Sequence, residues 1–165
     1  MIDPAKHVIT FDPFGITDQP HSNINPFGHC VRGSRHLFAD LDEITTTLTP
    51  TSGSGNAVFF EEGTRLYNKA ISLVLVEENG VLTFPDLHRI VNLAIQGGDE
   101  WLPFAYKMHT SPIPLCRSAE AEIAAGREDS SGGQKGLFGQ LRQSVSEMDN
   151  PELAAAVTSD NEFDL

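Results

Sequence analysis

The sequence predicts a mainly α-helical bundle of about six helices, opened by a single β-strand. Three observations predict it. Apolar residues recur at three- and four-residue spacing through most segments, which paints one face of a helix. Pro, Gly, Asn and a Thr-x-x-Asp signal punctuate those stripes where helices start and stop. Only one run, His7-Val8-Ile9-Thr10-Phe11, has the β-branched and aromatic character of a strand.

That strand ends at Asp12-Pro13-Phe14-Gly15, a turn signal. A mostly apolar strand suits the inside of a sheet, yet no partner strand follows. An orphan strand ahead of helices warns that part of a sheet is missing. Residues 16–33 read as a surface loop of turn formers, with Phe27 plugged inward. Ser34 is the expected cap of a helix to about Thr47, with Leu37, Phe38, Leu41, Ile44 and Leu48 as its stripe. Pro50 and a polar Ser/Gly loop end it.

The longest helix is expected from about Ala57 to Glu78. Its core face is Phe59, Phe60, Leu66, Tyr67, Ala70, Ile71, Val74 and Leu75. Its later part is apolar nearly all round, which places it at the centre of the bundle. Glu61 and Glu62 near its start complement the macrodipole, and Asn79-Gly80 ends it. Thr83-Phe84-Pro85-Asp86 opens the next helix as a capping box with Pro in the first turn. Gly97-Gly98 closes that helix. A shorter one follows from about Glu100 to Met108, and Ser111-Pro112-Ile113-Pro114 reads as extended. Helix is expected again from Ser118 to about Arg127, then a loose patch at 128–133. Leu137, Phe138, Leu141, Val145 and Met148 make another stripe, and Asn150-Pro151 caps a short helix to about Val157. An acidic tail, 158–165, closes the chain.

Composition narrows the function. The chain has 165 residues, 11 basic against 23 acidic, for a formal net charge of -12. Nucleic-acid binders neutralise phosphates with Lys and Arg, so this balance argues against a general DNA- or RNA-binding surface and against docking on anionic lipid. It favours basic partners. The longest apolar run, Leu73-Val74-Leu75-Val76, is far short of the ~20 residues that span a bilayer, and no export leader opens the chain. A cytoplasmic setting is expected. Two cysteines, Cys30 and Cys116, give no disulfide framework and read as reduced structural thiols.

Catalytic signatures are weak. Gly132-Gly133-Gln134-Lys135-Gly136 and Ser52-Gly53-Ser54-Gly55 look like phosphate cradles but lack the Gly-Lys-Ser/Thr ending. Flexible loops are the simpler reading. The six histidines show no zinc-peptidase spacing; His29, Cys30 and His36 could at most be imagined as ligands. There is no Gly-x-Ser-x-Gly elbow. Asp12 stands at a strand end, where ligands bind open α/β sheets, though the first residue of a turn is the plainer account. Trp101, Phe104 and Tyr106 cluster after a Gly-Gly break, either as a docking patch or as core.

The order of these pieces resembles the type IV coupling proteins of bacterial conjugation and type IV secretion. The resembling residues are Val8-Ile9-Thr10-Phe11-Asp12-Pro13-Phe14-Gly15, Asn25-Pro26-Phe27, Leu48-Thr49-Pro50, Phe59-Phe60 and Leu82-Thr83-Phe84-Pro85-Asp86-Leu87. The end, Thr158-Ser159-Asp160-Asn161-Glu162-Phe163-Asp164-Leu165, looks like a return to the next sheet strand. The resemblance implies a membrane-anchored, hexameric, RecA-like ATPase with a helical all-alpha domain inserted between two motor strands. On this reading 1–24 are the strand and loop at the motor edge, 25–157 the all-alpha domain and 158–165 the return segment. The phosphate-binding loop, the acidic Mg²⁺ strand and the transmembrane anchor are absent. No catalytic residue therefore carries over, ATP and Mg²⁺ belong to the full-length family, and no cofactor, metal or ATPase activity is expected of this chain.

The resemblance implies a substrate-recognition module that receives effector proteins, relaxase complexes or their adaptors. The charge selects protein cargo with Lys and Arg over bare DNA. The candidate contacts are Glu61, Glu62, Trp101, Tyr106, Glu120, Glu122, Glu128 and Asp129; a solvated acidic face is the alternative. A rival reading is a DNA-contacting part of the translocation motor, built from Arg32, Arg35, Lys135 and Arg142. An enzyme would need a concave site of converging polar groups.

Overall fold

The computed structural model describes residues 10–17, 22–53, 55–129 and 132–157, and it is mainly helical. Seven α-helices and one 3-10 turn occur among the described residues: α1 Leu37–Leu48, α2 Asn56–Asn79, α3 Phe84–Gln96, α4 Leu102–His109, α5 Pro114–Glu128, α6 Gly132–Gln143, the turn Ser146–Asp149, and α7 Pro151–Ala156. Most of the expected strand, residues 7–9, and the acidic tail lie outside the described residues. Thr10 and Phe11 join no ladder. Asp12 organises a turn, its carboxylate accepting from the Ile16 and Thr17 amides and the Thr17 hydroxyl at 2.9, 2.6 and 2.7 Å.

From residue 22 onward, the loop expected at 16–33 is an irregular strap. Asn25 Nδ2 donates to the Leu82 carbonyl at 2.8 Å, and its Oδ1 accepts from the Phe27 amide. Phe27 plugs inward as expected, its ring 5.0 Å from that of Phe84. A single antiparallel bridge joins Val31 to Val81. Ser34 does not cap α1. Its hydroxyl accepts from the His36 amide in a local turn, and the helix begins three residues later. Such short hydroxyl-to-backbone turns compete with capping.

α2 is the centre, as its apolar later part implied: it packs against α1, α3, α4, α5 and α6. Every residue from Ala70 to Val76 is buried. At 24 residues it is about 36 Å long. It ends at Gly80, whose φ of 85° is open to glycine without cost. Phe59, expected in the core, is instead exposed, while Phe60 beside it packs against the core. The α2–α6 seam is close: an added Cβ at Gly63 would lie 2.9 Å from Leu137 Cδ1, and one at Gly136 would lie 3.1 Å from Phe60 Cζ.

Thr83 caps α3, its hydroxyl accepting from the Asp86 amide at 3.2 Å and donating to the Asp86 carboxylate at 2.8 Å. α5 starts at Pro114, four residues ahead of expectation. Ile113 is extended, as a residue before proline prefers, and Pro114 then fits the first helical position. α6 likewise absorbs Gly132 and Gly133, because burial of Leu137 and Leu141 against α2 outweighs weak glycine propensity. Asn150 caps α7 through Oδ1 to the Glu152 and Leu153 amides, as its Asn-Pro signature indicated. The Ile24 amide donates to the Ala156 carbonyl at 3.0 Å, which sets the two ends of the helical body side by side.

Candidate protein-docking surface

The eight residues expected to contact a partner divide sharply once folded. Glu61 is a correction. It is buried, 5% exposed, and Oε1 accepts from the Ser52 amide at 2.9 Å. One turn on, Arg65 donates from Nε and Nη2 to the Thr49 carbonyl at 2.8 and 2.6 Å and from Nη2 to the Thr51 hydroxyl. The two side chains thus hold the α1–α2 loop from one face of α2. Hydrogen bonds from Ser52 hold the Glu61 carboxyl below its ordinary range, and the Arg65 charge acts in the same direction. Glu61 also lies outside the first turn of α2, so the dipole role assigned to it fails; Glu62 beside it is exposed.

Trp101 is the second correction: it is 1% exposed. Its ring lies 5.7 Å from that of Phe104, and the Arg127 guanidinium sits 5.0 Å above it. Trp101, Phe104, Ala105 and Met108 make the inward stripe of this region. The outward side of α4 carries Leu102 and Tyr106, 60% and 69% exposed. Of the aromatic cluster, Tyr106 is surface while Trp101 and Phe104 are core.

The acidic run on α5 is not one patch. Glu120 turns to α4, where Oε2 meets His109 Nδ1 at 3.3 Å. Glu122 turns to α2 and accepts from the Tyr67 hydroxyl at 3.1 Å. Burial and the Glu122 charge push that phenol well above its usual range. Residues two apart on a helix point to different sides, which is why spacing alone misleads here. Glu128 and Asp129 are exposed at the end of α5.

Of the four basic residues of the DNA reading, Arg32 and Lys135 lie toward opposite ends of α2. Arg32 donates to the Glu78 carbonyl at the C-terminal end of α2. Lys135 adjoins Gly136, which packs on Phe60 at the other end. Phe60 and Gly80 are about 30 Å apart along the helix axis.

No family model, curated protein or solved structure matches the chain. Function therefore rests on the surface itself. Among the described residues no group of three His, Cys, Asp or Glu could hold a metal ion, and no helix is long and apolar enough to cross a membrane. A concavity of about 440 Å³ runs between α1, α2, α4 and the α4–α5 loop over Leu37, Phe38, Leu73, Val74 and Ile113. Its rim charges cancel: Arg32 and Lys107 stand against Glu77 and Glu78, and Lys107 is ion-paired to Glu78. It offers no charge preference.

The other side of α4 does. Asp99 and Glu100 are exposed just ahead of Leu102 and Tyr106. The basic side chains nearby are already engaged, Lys107 by Glu78 and His109 by Glu120. Sequence reasoning missed Leu102, Asp99 and Glu100. A signal was present: assigning 101, 104, 105 and 108 to one inward stripe leaves 102 and 106 on the other side.

Proposed function

We propose that this chain is a docking module for positively charged protein segments, of the kind inserted into the motor of type IV coupling proteins. The observation that carries the reading is the 3.0 Å hydrogen bond between Ile24 and Ala156. A helical body inserted in a loop of another domain must leave close to where it enters, and this bond holds the two points together. The charge then states what such a module attracts. At a net charge of -12 the surface repels phosphate backbones and draws Lys- and Arg-bearing protein. Secreted effectors, relaxases and their adaptors are the cargo class this reading names. The chain alone turns over no ATP on this reading, and a cytoplasmic setting goes with it.

Fluorescence anisotropy against a labelled DNA duplex and a labelled Lys/Arg-rich peptide tests the reading. The peptide binds at low salt and is released as salt rises, while the duplex does not bind. Salt-sensitive micromolar binding of the duplex, or ATP turnover by the purified chain, overturns it.

A further inference from the structure

We infer that the outer face of α4 is the seat for a basic segment that carries an apolar anchor. This rests on the docking reading above and gives it an address. Leu102 and Tyr106 are one helical turn apart and stand 60% and 69% exposed. Such a pair makes a small apolar platform with a hydroxyl at one end. Tyrosine is among the residues that dominate binding energy at interfaces, and its ring face also accepts an arginine.

The platform is backed by packed core. Trp101, Phe104 and Met108 of the same segment are buried, and the Arg127 guanidinium lies 5.0 Å from the Trp101 ring. A partner therefore meets a preformed surface, which lowers the ordering cost of association.

The carboxylates just ahead of it in the chain are unmatched. Asp99 and Glu100 carry no ion pair among the described residues, whereas Lys107 and His109 are each matched by a carboxylate. An approaching segment meets two carboxylates without an ion-pair partner among the described residues, beside a lysine and a histidine that are already matched. A Lys or Arg beside a leucine- or phenylalanine-sized side chain complements both features at once. An acidic segment complements neither, and the large groove on the other flank of α4 has balanced rim charges. The platform is small, so the complex is weak and fast rather than permanent.

The test uses a short synthetic peptide of lysine and arginine around one leucine and one phenylalanine. Its counterpart has every basic residue replaced by glutamate. Each is titrated into the isotopically labelled chain and followed by amide chemical shifts. The basic peptide moves the amides of residues 99–106, the acidic peptide does not, and Leu102→Ser with Tyr106→Ser weakens binding by about tenfold. Both side chains are exposed, so the variant keeps the wild-type circular dichroism and melting profile. Basic-peptide binding that is unchanged in the variant, with shifts centred elsewhere, overturns this seat and leaves the docking reading standing. Failure of the basic peptide to bind the wild-type chain overturns both. Self-association that depends on Leu102 and Tyr106 and excludes the peptide makes a second copy the occupant and overturns the inference.

Discussion

The Arg127 guanidinium lies 5.0 Å over the Trp101 ring while its Nε donates to the Ala94 carbonyl at 2.8 Å. One side chain on α5 thus pins the α3–α4 connection and stops the C-terminal end of α3. Gly97 beside it has a φ of 73°, and an added Cβ would lie 3.2 Å from Arg127 Cδ, so the turn is shaped around this clamp.

Arg127→Ala removes the cation–π contact and a hydrogen bond to a helix-end carbonyl. Together these are worth about 1–3 kcal/mol. Arg127→Lys keeps the charge but loses the planar stack, so it recovers only part of the loss. Urea titrations of the three proteins measure the order wild type, Lys, Ala. Equal midpoints for Lys and Ala would mean that charge over the ring contributes nothing.

Glu61 predicts an acid limb. Its carboxyl is held below the ordinary value of 4.5, so its ionised form is favoured by folding. The stabilisation is present above that value and disappears as pH falls through the lower folded-state value. In Glu61→Gln this part of the acid sensitivity is gone, and the urea midpoint falls less between neutral pH and acid than in wild type. A variant with the same acid profile as wild type would show that the Ser52 contact does not hold the ionised form.

A branched side chain at position 63 would crowd the α2–α6 seam and force Leu137 to shift. Gly63→Val costs about 1–3 kcal/mol through crowding against Leu137, which an ideal Cβ already approaches to 2.9 Å. Leu137→Ala opens the same space. The double variant is therefore more stable than the sum of the two single losses predicts, which a double-mutant cycle in thermal melts measures. Strict additivity would place the crowding elsewhere.

Both thiols should be inert in the folded chain. Cys30 and Cys116 are free and fully buried. Burial, then the Asp40 charge, pushes the Cys30 thiol up to about 12, and burial also raises that of Cys116. Since the thiolate is the reactive form, Ellman's reagent labels neither at neutral pH until denaturant is added. Rapid labelling of the native chain would show that one of them reaches solvent.

Loss of the α3 cap is a local test of how sequence signals work here. Thr83→Ala leaves the Asp86 amide without its hydroxyl acceptor and costs about 0.5–2 kcal/mol, read from melting temperature. Thr83→Ser retains most of the stability because the acceptor is kept.

Much of this architecture was legible before any coordinates. The cap at Thr83, the stop at Gly80, the cap at Asn150 and the central place of α2 all rest on interactions within a few residues, or on one helix being apolar all round. The starts of α1 and α5 were not. Ser34 looks like a cap but spends its hydroxyl on His36, and Pro114 opens a helix only because Ile113 is already extended.

The sequence by itself determined that the chain is helical, where most helices punctuate, and that the molecule is strongly acidic, because propensity, capping and net charge are local or additive properties. The tertiary structure decided which side chains a partner can reach. Trp101 and Tyr106 share one short segment, yet Arg127 of α5 lies over the first and the second stands in water. Glu61 and Glu62 are neighbours, yet the α1–α2 loop folds over one alone. Periodicity tells that a helix has an inner face; only the neighbours packed against it tell which residues stay outside.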